Sequence, residues 1–382
     1  MSHKPLKLAF VGGGLHSAIG ATHKIASQMD GFFRLEAGCF SRDLDKNRQT
    51  ASAWGVERIY ADSRELIEEE KQSIDALVVL TPTTKHTQVI LDALQAAIPV
   101  ISEKTLTHTL EDALKIHSVV KKKKGFLLTT YNYTGYPMIR ELKAMIRKGR
   151  LGSVIQVNIQ MPQESFIRLD KEGNIPHPQE WRLHDGTIPT LSLDLGTHLS
   201  NMVSFLTDSD PVEVVTMQND FGHYPVVDNI VSMIRYTNGI DCHMWYGKSA
   251  LGHKNGLRVE VYGTEGSASW YQMDPEFLVF NDNRGRNIVL DRSSRDIILA
   301  DLPRYNRFKS GHPAGFIEAF ANHYADIYRS LIAYKNGEEQ YMNEYVFGID
   351  ASIRELALMQ AIEASAKSKL WEPAHAQNQS TL

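Results

Sequence analysis

The 382-residue chain is predicted to be an α/β protein, with a doubly wound parallel sheet in the N-terminal part and a C-terminal α+β domain on an open, mainly antiparallel sheet. Three observations carry that prediction. From Leu6 to about Thr130 short apolar runs alternate with longer amphipathic stretches, the pattern of β-α-β units around a parallel sheet. A glycine-rich turn, Gly12-Gly13-Gly14, follows the first apolar run and opens the first helical stretch. Beyond the helix closed by Gly149 the pattern becomes one of strands joined by turn residues, which implies antiparallel pairing.

In chain order, the first strands are predicted at Leu8 to Val11, Phe33 to Phe40, Ala76 to Leu80, Pro99 to Ile101 and Phe126 to Thr130. Helices fit between them at Ala18 to Gln28, Asp43 to Trp54, Ser63 to Glu70, Thr84 to Ala96 and Leu110 to Lys122. The run Lys121 to Lys124 before Gly125 is a solvated helix end, where cations meet the negative end of the helix dipole. A further helix covers Tyr136 to Lys148. Ile155, Val157, Ile159 and Met161 then alternate with Gln156, Asn158 and Gln160, a half-exposed strand. Ile230 to Thr237 and Ile240 to Tyr246 flank Asn238-Gly239, a hairpin signal because a type I′ turn needs positive φ at both central residues. Strands follow at Leu257 to Tyr262, Ser267 to Tyr271, Phe277 to Phe280 and Ile288 to Leu290. The chain closes with helices over Phe316 to Tyr334, with Phe320, Tyr324, Ile327 and Leu331 on one stripe, and over Glu344 to Lys367. The predicted domains are 1–131 and 132–373, with a polar, frayed tail at 374–382.

Composition excludes several classes. With 42% hydrophobic and 23% charged residues the chain is neither disordered nor fibrous, and 41 Lys plus Arg against 45 Asp plus Glu give it no general attraction to nucleic acid or anionic membranes. No run has the length of a bilayer span, and the first ten residues are too short in apolar content for a signal-peptide core. Cys39 and Cys242, the only cysteines, match no metal-ligand spacing and no disulfide framework, so a reducing cytoplasm is expected.

Two constellations carry chemistry. In the loop Gly12-Gly13-Gly14-Leu15-His16-Ser17, glycines let backbone N–H groups approach a pyrophosphate at the positive helix terminus. Ser17 replaces the third glycine of the usual fingerprint, and Ile19-Gly20 is expected to supply the close helix packing instead. The second strand ends in Ser41-Arg42-Asp43. Ser41 and Arg42 suit a 2′-phosphate and tip a choice between NAD and NADP slightly toward NADP; the alternative is Asp43 or Glu36 on the ribose with Arg42 stacked on adenine. At the carboxyl edge of the predicted strand Pro99 to Ile101, Glu103-Lys104 offers an ammonium that stabilises charge on a substrate hydroxyl, or else a surface ion pair. Asp194, His198 and Asn201 fall on one helical face, beside the core stripe Leu195, Leu199, Met202 and Leu206. A histidine beside a carboxylate is either a general base with its orienting partner or a structural pair; no companion ligand supports a metal site.

Gly12-Gly13-Gly14, Glu103-Lys104, Tyr131-Asn132-Tyr133-Thr134-Gly135-Tyr136-Pro137, Trp181-Arg182 and Asp194-Leu195-Gly196-Thr197-His198, in this order, resemble the glucose-fructose oxidoreductase, inositol dehydrogenase and MocA family over about Leu6 to Glu372. Gly311 to Phe316 and Glu318 to Asn322 also resemble a subgroup of it. The resemblance implies an N-terminal Rossmann domain, a C-terminal α/β domain with an open sheet, and a homodimer or homotetramer assembled through sheet faces. It implies that Lys104 binds the reacting hydroxyl, His198 exchanges its proton, and Asp194 orients His198 or contacts the substrate. It also implies that Thr81 and Thr83 line the nicotinamide side near His86 and Glu103, and that Tyr133, Trp181, Arg182 and His312 contact a sugar or polyol. One position departs: the family usually has Glu-Lys-Pro, and Thr105 stands here in place of the proline that helps to position the lysine.

The expected function is reversible oxidation of a secondary hydroxyl on a sugar, sugar derivative or cyclitol, with NAD or NADP as cofactor. Two rivals remain open at this point. One is an enzyme that keeps its dinucleotide tightly bound and uses transient oxidation for hydrolysis or epimerisation; the other is a dinucleotide-binding regulator without turnover.

Overall fold

The computed structural model describes residues 4–375. The chain forms two compact units: the first runs through Gly135 and regains Phe316–Ile353, the second comprises Tyr136–Gly315 and the chain from Arg354. This division departs from a single cut after residue 131.

In the first unit β1 (Leu6–Gly12), α1 (Gly20–Gln28), β2 (Phe33–Cys39), α2 (Leu44–Trp54), β3 (Arg58–Ile59), α3 (Ser63–Glu70), β4 (Ala76–Leu80), α4 (His86–Gln95), β5 (Val100–Ser102), α5 (Leu110–Lys123) and β6 (Leu127–Thr129) alternate. The six strands are parallel and ordered β3-β2-β1-β4-β5-β6, the doubly wound order whose reversal between β1 and β4 leaves a crevice at the strands' carboxyl ends. β4 is buried along its whole length, hence its unbroken apolar run. Local capping sets the helix starts: Asp43 accepts from the N–H groups of Asp45 and Lys46, Asp62 from Arg64 and Glu65, and Thr109 from Asp112.

The returning segment brings α8 (Phe316–Lys335) onto this unit. Its stripe of Phe320, Tyr324, Ile327 and Leu331 is buried in one cluster with Leu6, Leu8, Phe33 and Phe126. Each such side chain contributes roughly 1.5–3 kcal/mol of burial before ordering entropy is counted. Phe33 meets Tyr324 and Tyr328 edge to face, and Phe32 stacks on Tyr328.

The second unit contains α6 (Pro137–Arg147), β7 (Val154–Pro162), α7 (Thr197–Thr207), β8 (Pro211–Asn219), β9 (Asn229–Tyr236), β10 (Ile240–Gly247), β11 (Arg258–Gly263), β12 (Gly266–Tyr271), β13 (Leu278–Asp282) and β14 (Asn287–Leu290). After α8, α9 (Ile349–Ser368) crosses back to it and β15 (Glu372–Pro373) closes it. The nine strands are ordered β14-β13-β12-β11-β7-β10-β9-β8-β15, antiparallel except for the parallel pair β7 and β10. The β9–β10 turn has positive φ at Asn238 and Gly239, as the I′ signal requires. Val157, Ile159 and Met161 of β7 are buried, while Ile155 at its start is exposed. Ala374 is buried and its N–H donates to Val212 O, so the predicted frayed tail does not begin at 374; residues 376–382 lie outside the described ones. No helix among the described residues is long and apolar enough to cross a membrane.

Candidate functional site

The glycine loop is built for close backbone approach. Gly12 and Gly13 have φ of +83° and +73°, and a Cβ on Gly12 would lie 2.7 Å from the Leu80 carbonyl carbon and oxygen. A Cβ on Gly20, the first residue of α1, would lie 1.6 Å from Gly13 O, so Gly20 takes the packing role that the sequence assigns to Ile19-Gly20. Ile19 itself packs against the core, and Ser17 Oγ accepts from the N–H groups of Ile19 and Gly20 at 3.3 Å each. Gly14 lies beside Phe40 and Thr50, whose hydroxyl also accepts the Leu15 N–H.

These residues fit a dinucleotide. Besides the loop at a helix N-terminus, the hydroxyl of Thr81, whose backbone nitrogen lies next to Gly12, and the Asn132 side-chain amide nitrogen are buried without a partner among the described residues, polar atoms that a ligand's polar groups can satisfy. At the end of β2 the two carboxylates that compete for a ribose are engaged: Asp43 caps α2 and Glu36 pairs with Arg34 and Arg58. Ser41 is half-buried and accepts the Asp43 N–H, while the Arg42 guanidinium is exposed and makes no ion pair among the described residues.

His86 lies beside Thr81, as the resemblance implies. It is buried, with Nδ1 3.1 and 3.2 Å from the Thr105 and Leu106 carbonyls and Nε2 2.6 Å from the Thr81 carbonyl, so its ring is spent on holding backbone. Burial lowers its pKa against the opposing pull of these carbonyls and Glu103. Thr83 begins the short turn that leads into α4. Lys104 follows β5 and precedes Thr105 across a cis peptide bond. Glu103 accepts from His23 at 3.2 Å and from Thr130 at 2.8 Å on the same oxygen. Tyr133, in the turn after β6, is buried near Phe316.

In the second unit Asp194 lies within a single π-type turn, Ser192–Gly196, that runs into α7, and His198 is the second residue of α7, 8% exposed. π-turns recur at functional sites because the wider turn re-aims a side chain. Gly196 permits this turn to seat, since a Cβ there would lie 2.5 Å from Met359 Sδ. Asp194 Oδ2 is clamped by two cations, Arg182 Nη1 and Lys248 Nζ, the latter at 2.7 Å. Arg182 lies over the Trp181 ring at 4.4 Å and is partly exposed, whereas Lys248, at the end of β10, is 2% exposed with its ammonium 5.1 Å from the Phe166 ring. The structure thus brings together Trp181, Arg182 and Asp194 and adds Lys248, which no local motif marks. Asn201, predicted on the same face, donates instead to Glu355 of α9 at 2.8 Å in the core. His312 is exposed, and its backbone carbonyl accepts from the buried Arg292. Among the described residues no three His, Cys, Asp or Glu side chains converge as a metal set, and both cysteines are free and buried.

The strand order, the glycine loop and the His-bearing helix of the second unit define a two-unit, dinucleotide-binding oxidoreductase architecture. Residues 6–131 match the oxidoreductase family with an NAD-binding Rossmann fold, and residues 139–269 match the GFO/IDH/MocA C-terminal domain. The chain belongs to the GFO/IDH/MocA family. It is 28% identical to the uncharacterized oxidoreductase YfiI of Bacillus subtilis, over 96% of each chain. An oxidoreductase structure from Sinorhizobium meliloti is 30% identical, with a TM-score of 0.83 over 97% of this chain and 99% of that one. An inositol dehydrogenase homolog from Azotobacter vinelandii, solved with NADH and myo-inositol, is 27% identical, with a TM-score of 0.88 over 97% and 98%.

Proposed function

We propose that the protein is a dehydrogenase, preferring NADP, that transfers hydride between the nicotinamide and a secondary hydroxyl of a sugar, sugar derivative or cyclitol. The observation that carries the reading is the glycine loop seated against Gly20, an arrangement whose tolerance of only hydrogen at that contact suits a pyrophosphate at the helix terminus. The similarity to the Azotobacter vinelandii protein, complexed with NADH and myo-inositol, supports the substrate class. NADP is favoured because Glu36 and Asp43 are committed elsewhere, while Arg42 presents an exposed planar fork, without an ion pair among the described residues, that suits phosphate.

The bound nicotinamide supplies the hydride acceptor or donor. The chain's own residues manage the proton and the charge: His198 accepts the hydroxyl proton during oxidation, and the Lys104 ammonium stabilises the developing charge on that oxygen. Asp194 stays a carboxylate between Arg182 and Lys248 and serves as a fixed acceptor for a substrate hydroxyl or for His198. Self-association through the open sheet face, where Met217, Val231 and Met233 are exposed, and a cytoplasmic location complete the reading.

The test is the appearance of reduced nicotinamide with NAD or NADP and a panel of sugars and cyclitols that includes myo-inositol, run beside His198→Ala and Arg42→Ala. Signal in the wild type, its loss in His198→Ala, and a fall in NADP over NAD preference of about tenfold or more in Arg42→Ala are expected. Bound dinucleotide without signal on any compound would overturn the dehydrogenase reading.

A further inference from the structure

In the core of the first unit one cluster is polar where its surroundings are apolar. His23 of α1 is fully buried among Phe320, Tyr324 and the apolar core of the sheet. Its Nε2 lies 3.2 Å from Glu103 Oε1 and its Nδ1 2.7 Å from the Tyr324 hydroxyl. Thr130, just past β6, donates to the same Glu103 oxygen at 2.8 Å. The backbone reinforces the convergence, because Glu103 N–H donates to Val79 O and Thr130 N–H to Ser102 O.

Burial works against the Glu103 carboxylate, while the hydrogen bonds from His23 and the Thr130 hydroxyl and the Lys104 charge favour it, and the group lies below the ordinary carboxylate range. An ionised carboxylate only accepts, so the proton between the two side chains is on His23 Nε2. The Tyr324 phenol, pushed well above its usual value by burial and then by Glu103, keeps its proton and donates it to Nδ1. The chain Tyr324 O–H to His23 to Glu103 is therefore complete with one ring proton. A leucine at position 23 would suit the apolar surroundings but would take a donor from the buried Glu103 carboxylate, so the histidine is tied to Glu103 and not to the core around it. What the histidine adds is direction: it ties α1, which begins against the glycine loop, to the residue immediately before Lys104.

We propose that His23 is a positioning residue which, through Glu103, fixes the strand end that carries Lys104. The inference rests on the reading of Lys104 as a residue of the reaction. Glu103 is held from two sides by donors on separate elements, so the Glu103–Lys104 backbone keeps one conformation whether or not substrate is present.

The experiment uses the full-length, dinucleotide-free protein and compares His23→Leu, His23→Gln and Thr130→Val by amide hydrogen exchange, with turnover on the compound that gives the wild-type signal. His23→Leu is expected to speed exchange in segment 103–107 at least tenfold, to leave α2 to α5 unchanged, and to lower kcat tenfold or more with dinucleotide Kd within about twofold of wild type. His23→Gln, whose amide nitrogen can replace Nε2, is expected to restore both readings to within about threefold. Unchanged exchange at 103–107, exchange raised throughout the unit, or no rescue by glutamine would overturn the inference. Should His23→Leu not fold, Thr130→Val decides: exchange at 103–107 raised threefold or more supports the proposal, and wild-type exchange overturns it. Lys104→Met, run in parallel, separates the two ideas. If it turns over like wild type, the reading of Lys104 fails and this inference with it; if it is inactive while His23→Leu is fully active, only the inference fails.

Discussion

Gly20→Ala tests the link between the sequence of the glycine loop and dinucleotide binding. The added methyl would lie 1.6 Å from Gly13 O and 2.4 Å from Gly13 C, both backbone atoms with no rotamer to change. Carbon and oxygen need well over 3 Å, so loop and helix must part by roughly 1.5 Å. Overpacking of this kind costs about 1–3 kcal/mol, and a backbone obstacle puts the site in the upper part of that range. For a unit of this size each kcal/mol lowers Tm by about 2–4 °C, so a drop of roughly 4–12 °C is expected. Dinucleotide Kd should rise at least about tenfold, or about 1.4 kcal/mol, because the displaced backbone is the loop proposed to cradle the phosphates. Gly31→Ala is the control. Its φ of +72° also strains alanine, by about 1–2 kcal/mol, but nothing lies within 4 Å of the new methyl. It should therefore lower Tm by a comparable few degrees and leave Kd unchanged. Calorimetric melting and titration calorimetry with NADP read both quantities. Wild-type Kd in Gly20→Ala, or equal Kd losses in the two variants, would refute the reasoning.

Lys248→Met removes one of the two cations on Asp194 Oδ2 in a buried setting. Because Arg182 still pairs the carboxylate, the loss should fall below the roughly 3–5 kcal/mol of an abandoned buried charge, while kcat/KM on the active compound should drop at least about tenfold; denaturant melts and steady-state rates check this. Acid should weaken the first unit in two stages. His86 has its pKa lowered from 6.5 by burial, so its contribution is present above pH 6.5 and is lost as pH falls toward the lowered value, where the unfolded chain binds a proton that the folded one refuses. Glu103 is lowered from 4.5, so its contribution is present above that pH and is lost on further acidification. Urea unfolding at pH 7.5, 5.5 and 4.0 should show falling stability, with the first step absent in His86→Gln; stability that holds or rises across this range would contradict the assignment.

The parts of the fold legible in the sequence are those whose cause is local. The β4 strand was a bare apolar run because it is buried on both faces, the Asn238-Gly239 turn announced itself by its φ requirement, and Asp43 and Thr109 mark helix starts by capping. Three features were not legible. β8 carries too weak an alternation to be read, because its outward residues include Met217 and Val212. The two-residue β3 is too short for any period to show. The stripe of α8 was visible, but a stripe says only that a helix covers something; its return to the first unit depends on Phe33 and Leu6, about three hundred residues earlier.

The same distinction runs through the site. The glycine loop is contiguous, so the sequence marks it as one unit, including Gly20 as the residue that packs the helix on the loop where the third glycine is missing. The spacing of Asp194 and His198 predicts one face of an ordinary helix, but the wider π-turn at Ser192–Gly196 breaks that count. Asn201, the third member of the face by spacing, belongs to a core contact with Glu355. Lys248 and His23 were invisible for another reason. Each is a single ionisable residue without a motif, and each acquires meaning only through a carboxylate brought to it from 54 or 80 positions away. Burial makes such partners consequential, since an interior charge is tolerable only when its partner is fixed. The residues proposed to touch the ligand therefore sit in recognisable words, whereas those proposed to hold them in place are dispersed along the chain. In this protein the most informative variants lie among the dispersed residues, at His23, Thr130 and Lys248.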